Sequence, residues 1–68
     1  MNVLCADEMV VQEVQAVLRR YAVARMREQG PNLGSPMIWV MVDSSLDGDK
    51  ENALRHEIAQ ISGATIRS

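Results

Sequence analysis

Between Asp43 and Asp49 the chain carries oxygen-bearing side chains at alternate positions: Asp43, Ser45 and Asp47, followed by Gly48 and Asp49. Hard cations such as calcium and magnesium take oxygen ligands, and a glycine after the third ligand permits the sharp turn that wraps a loop around the ion. Asp43, Ser45 and Asp47 are therefore the candidate metal ligands. The same residues have a plainer use. Asp and Ser close strands and open turns by bonding their own backbone. An aspartate at Asp47 or Asp49 would also cap a following helix, worth ~1 kcal/mol, and would complement its dipole. Caps and turns are the expectation, with a cation site as the alternative.

The first half of this loop resembles the EF-hand calcium loop, whose first, third, fifth and sixth positions fall on Asp43, Ser45, Asp47 and Gly48. The second half departs from it. The bidentate Glu expected at the twelfth position is Leu54, the apolar eighth position is Lys50, and an apolar strand precedes the loop instead of a helix. A strand ending in Asp-x-Ser also resembles the start of the magnesium site in von Willebrand A-type domains. There a Ser stands in the place of Asp47, and 68 residues are too few for that fold. The strand followed by Asp-x-Asp found in phosphatases differs at Ser45.

Other chemistry has less to build on. Cys5 is the sole cysteine and His56 the sole histidine, neither within a local catalytic signature. Cys5 reads as a small buried hydrophobe, and His56 lies off the apolar stripe of its helix. There is no glycine-rich phosphate loop, and a chain this short offers little depth for a substrate pocket of ~300 Å³ or more. No enzyme activity and no cofactor are expected. Arg19, Arg20, Arg25 and Arg27 gather in one segment; on a helix Arg20 and Arg27, seven apart, share a face, but Arg19 points away from it. Glu13 and Glu28 dilute them, and the net charge of −2 opposes a nucleic-acid partner. With 47% apolar residues and pI about 5.2 the chain reads as globular. It has no run long enough for a membrane span and no basic leader, so a cytoplasmic protein with no membrane partner is expected.

The elements that must hold these residues follow from periodicity. Asn2–Cys5 is a short apolar segment, possible as a strand. Asp7 and Glu8 suit a helix start. Val10, Val14, Val17, Leu18 and Tyr21 share one helical face, widened by Val11 and Ala22. Arg25 and Glu28 continue that line, so the helix is expected to run on until Gly30-Pro31 stops it. Met37–Val42 is an apolar, β-branched run and reads as a strand. A second helix from Gly48 or Asp49 to Ser62 has a narrow stripe of Leu54, Ile58 and Ile61, with Gly63 as its cap. Residues 64–67 complete a βαβ unit. This closing pattern, over roughly residues 37–67, resembles the βαβ halves of small ferredoxin-like regulatory domains such as ACT domains.

The expected fold is α/β (α+β): a single small two-layer (β)αβαβ domain of residues 1–68, with two or three strands and two helices. Along the central strand, Ile38, Val40 and Val42 point one way and Met37, Trp39 and Met41 the other. The branched set suits the helix stripes. That leaves Met37, Trp39 and Met41 as the candidate interaction residues on an uncovered apolar face, the alternative being one helix on each face. Domains of this size bury only about 60% of the unfolded surface. A homodimer across a two-fold axis is therefore expected, acting as an interaction or regulatory module that binds another protein; the alternative is a small-ligand or cation-binding regulatory domain that uses the acidic loop 43–49.

Overall fold

A computed structural model describes residues 1–23, 25–43 and 46–67. Six elements follow in order: β1 (Asn2–Cys5), α1 (Glu8–Arg20), β2 (Met26–Gln29), β3 (Ile38–Val42), α2 (Gly48–Ala59) and β4 (Ala64–Arg67). The four strands form one sheet in the order β2-β3-β1-β4, and every neighbouring pair is antiparallel. β3 and β4 run parallel, as the βαβ reading requires, but β1 lies between them. This βαββαβ order with a split βαβ unit is the ferredoxin-like arrangement.

Helix α1 starts where Asp7 caps it, with the Val10 N–H donating to Asp7 Oδ1 at 3.1 Å. Its buried stripe is Val10, Val11, Val14, Val17 and Leu18. The helix ends at Arg20, ten residues before the Gly-Pro that the sequence offers as its stop. Ala22 adopts a left-handed φ of 57°. The Ala22 N–H donates to Arg19 O and the Val23 N–H to Leu18 O, both at 3.0 Å. That bonding pattern is a Schellman motif, and the buried pair Leu18 and Val23 supplies its usual apolar contact.

The expected continuation of α1 through Arg25 and Glu28 is thereby corrected: Met26–Gln29 is a strand paired with β3. Met, Arg, Glu and Gln are all good helix formers, so pairing overrides propensity here. The strand count is four, not two or three. The segment Asn2–Cys5, which makes the third of the expected strands, is a central one, between β3 and β4.

Helix α2 is capped by Asp47, whose Oδ1 accepts from the Lys50 N–H at 2.9 Å. Leu54 and Ile58 are fully buried, while Ile61, beyond the helix end, is only partly so. Gly63 takes a φ of +91°, and its carbonyl accepts from the Ala6 N–H at 2.9 Å. Both helices lie on one side of the sheet. They touch each other and close over Val3, Cys5, Ile38, Val40 and Val42, which are at most 7% exposed. The arrangement with one helix per face is excluded by this layering. No helix is long and apolar enough to cross a membrane among the described residues.

Candidate functional site

Among the described residues, no helix covers the sheet's second face. Alternation along each strand sends Asn2 and Leu4, Arg27 and Gln29, Trp39 and Met41, and Thr65 and Arg67 to that side. Register arranges them in two rows across all four strands. One row reads Arg27, Met41, Asn2, Arg67, and the next reads Gln29, Trp39, Leu4, Thr65. Each row is about 14 Å wide, three inter-strand spacings. Leu4, Trp39 and Met41 are partly buried by their neighbours, while Met37, just before β3, is 44% exposed. Met37, Trp39 and Met41 thus line the open side of one strand, and Leu4 extends them onto β1. The polar residues around them are exposed. An apolar centre with a polar rim is how protein interfaces are built.

The same register sorts the charges. Arg27 and Arg67 close the two ends of one row, and Arg25 lies across from Asp43, whose N–H donates to the Arg25 carbonyl at 3.0 Å. Among the described residues, Asp43 is the carboxylate-bearing side chain on this side. The other acidic residues, Asp7, Glu8, Glu13, Glu28, Asp47, Asp49, Glu51 and Glu57, belong to the helix layer, where Arg19, Arg20, Lys50 and Arg55 only partly offset them. Glu28 confirms the sidedness, since its carboxylate accepts from Gln15 Nε2 of α1 at 3.4 Å. The ion pairs among the described residues, Arg20–Glu57 at 3.2 Å and Arg55–Glu51 at 3.8 Å, both lie in the helix layer. A chain of net charge −2 therefore presents a basic sheet face and an acidic helix face.

Arg25 and Arg27 flank a cleft of about 630 Å³ at the Asp43 end of the β2–β3 pair, lined also by Asn2, Met41 and Asp43 and by Met26 and Val42, which alternate toward the helices. It is wider than the chain length suggested. A smaller concavity of about 320 Å³ lies in the helix layer between Val17, Arg20, His56, Glu57, Gln60 and Ile61. The Glu57 carboxylate also acts on the nearby Tyr21 hydroxyl and holds the tyrosine pKa above its ordinary 10.

Of the residues proposed as metal ligands, Asp43 and Asp47 lie among the described residues. Asp47 spends its side chain on the α2 cap, and Asp43 sits at the end of β3 beside Arg25. Ser45 lies outside the described residues. Among the described residues no three His, Cys, Asp or Glu side chains gather as a metal would require. Cys5 and His56 do not form a pair. Cys5 is fully buried beneath the helices, and its thiol is pushed up to about 11 by burial first and then by Glu28 and Asp7. His56 is exposed on α2, with Nε2 at 3.1 Å from Gln60 Nε2.

Leu4, Arg25, Arg27 and Arg67 were not legible as parts of one surface. For Leu4 the signal was the short alternation Asn2-Val3-Leu4-Cys5. For the arginines there was none without the strand register. In comparisons with protein families, characterised proteins and solved structures, no match to the chain was found.

Proposed function

We propose that this protein is a non-enzymatic interaction or regulatory module whose working surface is the open face of the sheet. The observation that carries the reading is one-sided coverage: both helices protect one face, leaving Leu4, Met37, Trp39 and Met41 opposite them. Tryptophan contributes disproportionately to interface energy, and methionine adapts to irregular partners. Catalysis finds little support, because the one thiol is buried with a raised pKa and the one histidine is exposed elsewhere. The occupant is another polypeptide. A second copy packed across a two-fold axis would complete the missing layer and would suit a domain with so small a core. A different protein would use the same apolar centre.

The test combines sedimentation with the variant Trp39→Glu. The open face is not part of the helix-covered core, so the variant is expected to keep its fold, which circular dichroism checks. It is expected to abolish self-association or partner capture. A strict monomer at high concentration that also binds no peptide or protein probe, with Trp39→Glu indistinguishable from the parent, would refute the reading.

A further inference from the structure

The charge on the open face selects among its possible occupants. A second copy placed face to face would bring two sets of Arg25, Arg27 and Arg67 into one interface, with Asp43 from each copy as the offsetting carboxylate among the described residues. Like-charge juxtaposition of that kind costs several kcal/mol at an interface. Single-stranded nucleic acid would satisfy the arginines, but platforms for it stack successive bases on aromatic rings. Here Trp39 is the only ring, and its neighbours Leu4, Met37 and Met41 have no π-face to offer. What remains is an occupant that is apolar at its centre and anionic at its edges.

We infer that the open face receives an acidic, apolar-centred segment of a partner protein. Its apolar side chains seat on Leu4, Trp39 and Met41. Its carboxylates meet Arg25 and Arg27 in the cleft at one end and Arg67 across the sheet at the other. Arginine suits this task because its planar fork matches a carboxylate bidentately. Asn2, at the centre of the row and in the cleft lining, offers an amide to the segment's backbone or to a further carboxylate. The inference rests on the open face being the working surface, and it adds the chemistry of the partner.

The experiment is anisotropy titration of the full chain with three labelled probes: a short Glu- and Leu-rich peptide, the same peptide with Lys for Glu, and a short oligothymidylate. The Glu peptide is expected to bind, to quench Trp39 fluorescence, and to weaken as salt is raised. The double variant Arg25→Ala with Arg27→Ala should lose about tenfold or more in affinity, with its circular dichroism unchanged. Arg55→Ala, which removes the same charge from the helix layer, should not. Equal binding of the Lys peptide would overturn the charge argument, and tighter binding of oligothymidylate would assign the face to nucleic acid. No peptide binding, together with a dimer that Trp39→Glu dissociates, would overturn this inference and leave the proposed function intact. No peptide binding by a monomer would overturn both.

Discussion

Replacing Gly63 with alanine tests the packing of the helix layer against the sheet, and its cost can be worked from two separate sources. Gly63 has a φ of +91°, where an L side chain is strained by roughly 1–2 kcal/mol. A Cβ there would also fall 2.9 Å from Val10 Cγ2 and 3.3 Å from Ala6 Cβ. Overpacking of this kind costs about 1–3 kcal/mol. Gly34, in the β2–β3 connection, separates the two. Its φ is +82°, but an added Cβ meets nothing within 4 Å. Gly34→Ala should show the conformational cost alone, and Gly63→Ala should exceed it by about 1–3 kcal/mol. A domain of this size has a total stability of only roughly 3–10 kcal/mol, so Gly63→Ala should lower Tm by about 10 °C or more. Urea unfolding followed by the fluorescence of Trp39, the sole tryptophan, and by circular dichroism measures both variants. Val10→Ala in the Gly63→Ala background should recover part of the excess, because it removes the methyl that clashes. Equal losses at Gly34 and Gly63, or additivity in the Val10 cycle, would refute the close approach of the α2–β4 connection to the start of α1.

Further outcomes follow from the caps and the buried thiol. Ala22→Gly should stabilise the protein by ~1 kcal/mol, since glycine relieves the left-handed strain at the end of α1; a loss of stability would mean that the helix ends elsewhere. Asp47→Ala should cost ~1 kcal/mol through the lost cap, and calcium or magnesium should shift the Tm of neither parent nor variant; a cation-dependent Tm in the parent alone would favour the metal reading over the cap. Cys5 ionises near 9 when unfolded and near 11 when folded, so its contribution is fully present below pH 9 and is lost as pH rises through 11. That loss amounts to about 3 kcal/mol. Tyr21, raised above 10 by Glu57, acts in the same direction. Alkaline unfolding of Cys5→Ala in a Tyr21→Phe background should be flatter between pH 9 and 11, and an unchanged slope would refute the burial of the thiol.

Much of the fold was legible in local pattern. The buried stripe of α1, the helix-facing set Ile38, Val40 and Val42, and the stripe residues Leu54 and Ile58 all follow from period. Asp7 and Asp47 cap the helices as residue type suggests. Two misreadings have definite causes. The end of α1 was hidden because the left-handed position is held by alanine, so the usual glycine signal appeared only at Gly30. β2 was hidden because four residues of helix-forming type cannot display a strand's alternation, and only pairing with β3 reveals it. The central place of β1 was equally a matter of long-range pairing.

That error in β2 also governed the reading of the surface. On a helix, Arg25 and Arg27 would point about 200° apart, and the chain's net charge of −2 then argued against any basic face. On a strand, residues two apart share a side, and register carries Arg67 of β4 to the same side across β3 and β1. Sequence alone determined which residues are apolar, where helices begin, and that Met37, Trp39 and Met41 alternate with the core. Only the tertiary structure decided that both helices cover one face and that the other is basic. Both facts depend on strand order and register, which are set by contacts between distant parts of the chain and leave no local periodicity to read.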